Sequence, residues 1–115
     1  MQHTISLSKN RDFRWLYAKG KKAAGSYLAV YCRKNRIDST RLGLTVSVKL
    51  GGAVQRNRIR RRMREAYRLQ EDLFLPGNDI VIVARFRAVS VGFSALQKEM
   101  VDLCRGLGLL KVSPL

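Results

Sequence analysis

Acidic residues are scarce in this chain of 115 residues, and their scarcity limits the chemistry that the chain can perform. The eight aspartates and glutamates are scattered, and Glu71-Asp72 is the one adjacent pair. A two-metal nuclease needs several carboxylates that converge on ions about 4 Å apart. We interpret Glu71-Asp72 as a solvated loop at a helix end, and we predict that the chain holds no nuclease centre of its own.

Histidine and cysteine are equally rare. The one histidine, His3, has no evident partner for acid–base catalysis, and Cys32 and Cys104 are too few to complete a structural zinc site. We therefore predict two reduced, buried thiols, no catalytic residue and no protein metal site. No apolar run approaches the ~20 residues of a membrane span, and residues 1–9 lack the apolar stretch of a signal peptide. We expect a cytoplasmic protein without membrane contact.

Basic residues, by contrast, are abundant. Lysine and arginine total 23, the net charge is +15, and hydrophobic residues make up 46% of the chain. That apolar content is enough for a folded core, so residues 1–115 are predicted to form one domain. A folded domain with this much self-repulsion usually has a polyanionic partner, whose counterions it displaces on binding. Nucleic acid is the partner that the composition favours.

The pattern of apolar residues predicts an α+β sandwich in the order helix, strands, helix, strand, helix. Helices are predicted from an N-cap at Ser8 to about Ala18, over 53–70, and from a capping box at Ser94; strands are predicted over 26–32, 41–48 and 79–84. In the second strand, Leu42, Leu44, Val46 and Val48 alternate with polar residues and glycine, which predicts one core face. We expect a small, mostly antiparallel central sheet.

The helix over 53–70 carries the strongest functional signal. At ~100° per residue, its apolar stripe consists of Ile59, Met63, Ala66 and Tyr67. The remaining surface carries what we call the arginine ridge: Arg56, Asn57, Arg58, Arg60, Arg61, Arg64 and Arg68, with Lys49 preceding the helix. Arginine forks bind phosphate oxygens bidentately, whereas like charges four residues apart destabilise a helix. The pattern therefore indicates a face that binds phosphates.

The segment from Lys49 to Glu65 resembles the RNR motif of the bacterial ribonuclease P protein subunit. Its core is Arg56-Asn57-Arg58, preceded by Gly-x-Ala-Val and followed by further basic residues. The resemblance extends over residues 7–13, 27–31, 41–43 and 79–85, and so spans nearly the whole domain. Val48 departs from the motif where the family often has lysine, and Gly52 departs where it often has asparagine.

This resemblance implies a function and an unusual topology. Family members are non-catalytic protein subunits of a ribonucleoprotein that removes the 5′ leader from precursor tRNA. The catalytic RNA carries out the hydrolysis with Mg²⁺, and one protein is expected per RNA, with self-association of the free protein left open. The resemblance also implies a left-handed βαβ crossover through the RNR helix, against the usual handedness.

Aromatic residues suggest where single-stranded RNA would bind. Phe13 and Tyr17 are four residues apart on the first helix, and Tyr31 lies on the first main strand. Spacing alone favours a core position for Phe13, but the resemblance places all three in the cleft that takes the leader. Trp15 and Tyr27 are interpreted as packing residues.

Two other functions fit the residues less well. A ribosomal or other structural RNA-binding protein would share the sheet and the basic helix, but long basic extensions are absent from the sequence. A duplex-DNA binder would place the 53–70 helix in the major groove, but no second helix suggests a helix-turn-helix.

Overall fold

The computed structural model describes residues 3–112, which form three helices and a five-stranded sheet. The elements are β1 (Thr4–Ser6), α1 (Asn10–Lys19), β2 (Lys21–Ala24), β3 (Leu28–Lys34), β4 (Thr40–Thr45), α2 (Ala53–Gln70), β5 (Asn78–Ala84) and α3 (Phe93–Gly106), with short 3-10 turns after β4, α2 and β5. The α+β class and the helix over 53–70 are confirmed. The short edge strands β1 and β2 were not predicted, since neither contains an alternating apolar pattern.

Three local predictions were wrong. The N-cap of the first helix is Lys9 rather than Ser8, and the N-cap of α3 is Gly92 rather than Ser94. Neither N-cap residue makes a side-chain hydrogen bond to its helix. Strand β4 ends at Thr45, so Val48 is 72% exposed in the following turn instead of facing the core.

The sheet is mixed, with strand order β1-β4-β5-β3-β2. Strands β2, β3 and β5 pair antiparallel, whereas β4 pairs parallel with both β1 and β5. Two of the four strand pairs are thus antiparallel and include the longest pair, β3–β5, whereas β4 and β5 run parallel because α2 returns the chain between them. The β4–α2–β5 crossover is present, and its left-handedness stays a prediction of the resemblance.

The two faces of the sheet are covered differently. Helices α2 and α3 cover one face, where the main core contains the buried strand residues Leu28, Val30, Cys32, Leu42, Ile80 and Ile82. Helix α1 lies on the other face, over a smaller cluster formed by Leu7, Leu16 and Val81. One short helix cannot cover this face completely, so polar and aromatic side chains beside α1 reach solvent.

Candidate nucleic-acid interface

The arginine ridge lies on the outer side of α2. All four residues of the apolar stripe are buried, with Ile59 at 2% exposure and Met63, Ala66 and Tyr67 at 0%. Residues Asn57, Arg58, Arg61, Arg64 and Arg68 are exposed, whereas Arg56 and Arg60 are partly buried. The prediction of a helix with one docked face and one arginine-rich face is confirmed.

Few internal contacts neutralise the ridge. Arg68 donates to Glu65 at 2.9 and 2.5 Å, and its hydrogen bond lowers the pKa of the Glu65 carboxyl. Arg60 donates to the Asn57 amide oxygen at 3.0 Å, and Arg56 folds back onto the Gly51 carbonyl at 3.1 Å. Within residues 3–112, Glu65 is the one carboxylate that forms a salt bridge with the ridge. Most of its guanidinium charge is therefore available to an external anion.

A shallow groove of about 490 Å³ runs along the ridge, lined by Val54, Asn57, Arg60, Arg61 and Arg64. The three arginines that line it suit phosphate oxygens, since each guanidinium can donate two parallel hydrogen bonds.

The approach to α2 is also open. Gly51 has a φ of +136°, a conformation that side chains rarely adopt, and a Cβ at Gly52 would meet nothing within 4 Å. Lys49 is exposed immediately before this turn. Both departures from the RNR motif, Val48 and Gly52, thus fall on exposed backbone where no core packing depends on them.

The three aromatic residues of the expected cleft lie together between α1 and the sheet. The Tyr17 and Tyr31 rings are 5.0 Å apart and nearly perpendicular, and Phe13 lies 6.4 Å from Tyr17. Tyr17 is 41% exposed, and its hydroxyl is 2.9 Å from that of Thr45 on β4. Lys22 of β2 places its ammonium 5.4 Å from the Tyr31 ring centre. We call these five residues the aromatic cleft.

Phe13 has a double role in this cleft. It is partly buried against Leu7, Leu16 and Val81, so the core interpretation from spacing was half right. The ring also lies directly over Gly43, where an added Cβ would come within 2.6 Å of it. Glycine at this position lets the end of the Phe13 ring approach the backbone of β4 closely.

A buried carboxylate connects α1 to the sheet beneath the cleft. Asp79 on β5 is fully buried and accepts hydrogen bonds from Arg41, Arg33 and Asn35 at 2.6 to 2.9 Å. Arg33 also donates to Asp12 of α1 at 2.8 Å. Burial alone would raise the pKa of Asp79, but the hydrogen bonds from Arg41, Asn35 and Arg33 outweigh it and hold the pKa below its usual value.

Sequence reasoning missed two residues around these sites. Lys22 was read as part of a connecting segment, because β2 was not predicted. Trp15 was interpreted as packing, yet it is 41% exposed and lies under the Arg33 guanidinium, 4.8 Å from the ring centre. Tyr27 does pack against the main core, as expected.

One expectation about polar residues needs correction. Glu71 is buried, not solvated, and accepts from the Thr4 hydroxyl at 2.5 Å and the His3 amide at 3.1 Å, whereas Asp72 is exposed. His3 Nε2 lies 3.5 Å from the Asp72 carboxylate. Cys32 and Cys104 are buried free thiols, as predicted, and burial raises the pKa of Cys104 to about 12.

The side chains of residues 3–112 offer no evident place for a protein-held metal ion. In the described part of the chain, histidine, cysteine and carboxylate side chains form no group of three or more that could bind one. Between residues 3 and 112, no helix is long and apolar enough to cross a bilayer.

Comparisons with known proteins bear directly on this interface. A family model described as Ribonuclease P matches residues 1–108. The chain belongs to the ribonuclease P protein family. The ribonuclease P protein component of Clostridioides difficile strain 630 is 42% identical over 103 residues, which cover 89% of this chain and 90% of that protein.

Solved ribonuclease P proteins share the fold. A Staphylococcus aureus RNase P protein mutant described as defective in mRNA degradation has a TM-score of 0.84 at 34% identity, covering 91% of this chain and 89% of that one. The Thermotoga maritima RNase P protein has a TM-score of 0.79 at 32% identity, covering 87% and 96% respectively. Membership of this family decides against the ribosomal and duplex-DNA alternatives. It identifies the chain as the protein component of a ribonuclease that works with an RNA partner.

Proposed function

We propose that this chain binds the catalytic RNA of ribonuclease P with its arginine ridge and the 5′ leader of precursor tRNA in its aromatic cleft. In this function it assists the endonucleolytic removal of the leader in the cytoplasm, where tRNA is processed. One protein acts per catalytic RNA, and the hydrolytic chemistry belongs to the RNA.

The main support is that one domain combines a largely unneutralised arginine ridge with a partly exposed aromatic cleft. Thr45 of the aromatic cleft is the last residue of β4, and exposed Lys49 follows four residues later, before α2 begins at Ala53. The short segment that contains Lys49 therefore connects the strand of the cleft to the helix of the ridge. Stacking on rings beside basic residues is how proteins commonly hold unpaired nucleotides.

The division of labour follows from the side chains that the chain offers. Phosphodiester hydrolysis with Mg²⁺ needs oxygen ligands arranged around the ion, and the described side chains do not supply such a cluster. We infer that the catalytic RNA holds the Mg²⁺. The protein contributes positive charge, which favours the close approach of two polyanionic RNAs.

The ridge is tested by replacing Arg58 or Arg61 with alanine and measuring affinity for the catalytic RNA over a range of salt concentrations. Each arginine is exposed on α2 and makes no salt bridge within residues 3–112. Loss of one phosphate contact should weaken binding and reduce the slope of log K against log salt by about one unit. Arg105→Ala removes an exposed arginine of α3 that pairs with Asp102 at 3.6 Å, and serves as a control outside the ridge, with an unchanged slope. Unchanged slopes in both ridge variants would contradict the proposal.

Activity is tested by reconstitution. The protein is added to a bacterial ribonuclease P RNA at low Mg²⁺, and cleavage of precursor tRNA is followed by gel electrophoresis. We expect cleavage at Mg²⁺ concentrations where the RNA alone is inactive. Cleavage by the protein without the RNA would overturn the assignment of the chemistry to the RNA.

A further inference from the structure

A second groove, outside the aromatic cleft, lies beside the edge strand β2, at the end of the sheet where β2 and β5 begin and β3 ends. Its volume is about 820 Å³, and we call it the edge groove. It is lined by Trp15 and Lys19 of α1, Lys21 of β2, Arg33 and Lys34 of β3, and an apolar part that includes Leu75, Leu107 and Leu109. Helix α1 separates the two sites, because Phe13 and Tyr17 lie on one side of it and Trp15 and Lys19 on the other. The groove crosses the end of the sheet: Arg33 is on the same face as Tyr31, whereas Lys21, Cys32 and Lys34 point to the opposite face.

The charge of the edge groove is of one sign. Its lining includes four basic residues and no aspartate or glutamate. Arg33 is already engaged by Asp79 and Asp12. Lys19, Lys21 and Lys34 are exposed, and in the part of the chain that the structure describes they form no salt bridge. Three ammonium groups around one apolar groove are complementary to a ligand that is both anionic and partly apolar.

Trp15 supplies a flat surface in this groove, and contact with Arg33 fixes the orientation of its ring. The Arg33 guanidinium lies over the indole at 4.8 Å, and Asp79 and Asp12 hold that guanidinium at 2.8 Å each. The tryptophan is still 41% exposed. An exposed aromatic ring whose position is fixed by a buried ion-pair network stacks a planar ligand with little loss of conformational entropy.

We propose that the edge groove is a second site for single-stranded RNA, with a base against Trp15 and the adjoining phosphates beside Lys19, Lys21 and Lys34. The ligand chemistry follows from the combination of an exposed indole, an apolar wall and unpaired ammonium groups. The lysines donate to phosphates without reading a sequence, so the site accepts unpaired nucleotides of any base. It lies on the other side of α1 from the aromatic cleft and extends the RNA-binding surface around the β2 edge.

Trp15 is the one tryptophan of the chain, and its fluorescence therefore reports on this site directly. The full-length protein is titrated with hexauridylate at low salt, with excitation at a wavelength that tyrosine and uridine hardly absorb. We expect saturable quenching of the tryptophan emission. In the double variant Lys21→Ala/Lys34→Ala, half-saturation should require about fivefold more oligonucleotide or more, and the salt slope should fall by roughly 1.4, the value for two phosphate contacts on a single strand.

Two control variants separate this site from its surroundings. Lys98→Ala removes an exposed lysine from α3, outside the edge groove, and should leave the titration within about twofold of the original. Tyr17→Ala alters the aromatic cleft and should leave quenching of Trp15 in place. Circular dichroism confirms that the variants are folded, as expected for exposed side chains.

Two outcomes would overturn the proposal. One is binding of a fluorescent hexauridylate, seen by anisotropy, without any change in the emission of Trp15. The other is quenching that persists in Lys21→Ala/Lys34→Ala and disappears in Tyr17→Ala. Neither outcome depends on cleavage of precursor tRNA, so failure of this proposal is distinguishable from failure of the proposed function.

Reconstituted complexes show which RNA supplies the nucleotides. If the precursor leader occupies the groove, Lys21→Ala/Lys34→Ala weakens binding of a substrate with an extended leader and spares one with a short leader. If the catalytic RNA occupies it, the double variant weakens assembly with that RNA in the absence of substrate. If the double variant binds the substrate and the catalytic RNA as tightly as the original protein does, the edge groove is not an RNA site in the complex.

Discussion

At the scale of single residues, Asp79 does the most to organise the face that carries the aromatic cleft. It is a fully buried carboxylate with two arginine partners, and one of them, Arg33, reaches both α1 and Trp15. Burial of one unpaired charge is costly, so the members of this network depend on each other. The network thus couples the stability of the sheet to the placement of α1.

We expect Asp79→Asn to reduce the free energy of unfolding by about 3 kcal/mol, because Arg33 and Arg41 lose a buried charged partner. Chemical denaturation at neutral pH measures this difference. Since the pKa of Asp79 lies below its value in an unfolded chain, its contribution is complete above about pH 4 and declines as the pH falls through the folded pKa. The difference in unfolding free energy between the variant and the original protein should therefore narrow only below about pH 4. A gap that is independent of pH down to pH 2 would contradict this role.

Gly43 shows how one missing side chain shapes the aromatic cleft. An added Cβ would lie 2.6 and 2.7 Å from two carbons of the Phe13 ring. Gly43→Ala should displace that ring, lower stability by about 1–3 kcal/mol and weaken binding of a single-stranded leader. A thermal melt and a leader-binding titration test both effects. Gly52→Ala is the matched control, because a Cβ there meets nothing.

At the scale of elements, α2 separates stability from binding on its two faces. Ile59 is 2% exposed in the main core, whereas Arg61 is exposed on the ridge. We expect Ile59→Ala to cost about 2–5 kcal/mol of unfolding free energy, and Arg61→Ala to cost less than about 0.5 kcal/mol while weakening RNA binding. Denaturant titrations of the two variants measure the contrast. Similar losses of stability in both would show that the ridge is also structural.

Helix α3 is attached to the sheet by a polar contact that the sequence did not indicate. The Glu99 carboxylate accepts hydrogen bonds from the backbone amides of Ser26, Tyr27 and Leu28 at 2.7 to 2.8 Å. Ser26 and Tyr27 lie in the turn between β2 and β3, and Leu28 is the first residue of β3. One carboxylate thereby ties the β2 edge, and with it Lys21 and Lys22, to a helix on the opposite layer.

At the scale of the whole molecule, the excess of positive charge lowers the stability of the fold, and a bound RNA would neutralise that charge. The chain carries a net charge of +15, and like charges on a compact fold repel one another. We expect the melting temperature of the free protein to rise between about 10 and about 200 mM NaCl, as the Debye length shortens from about 30 Å to below 10 Å. Differential scanning calorimetry tests this expectation. A melting temperature that falls with salt would mean that attractive ion pairs dominate instead.

The sequence by itself determined the features that depend on local periodicity and charge. The stripe of Ile59, Met63, Ala66 and Tyr67 predicted the buried face of α2, and the bounds of that helix agree with the structure. The strand over 79–84 was equally clear, because a continuous apolar run has few alternatives. The family resemblance, carried by the Arg56-Asn57-Arg58 core, is likewise a property of the linear sequence.

Tertiary structure alone decided which distant residues meet. Only the structure shows that Phe13 packs on Gly43 and Val81. Only the structure shows that Trp15 is an exposed ring beside Arg33, which Asp79 holds in place. The edge strands β1 and β2 are short and polar, so pairing with longer strands creates them rather than their own propensity. Periodicity is local along the chain, whereas pairing and burial depend on contacts between segments far apart in sequence.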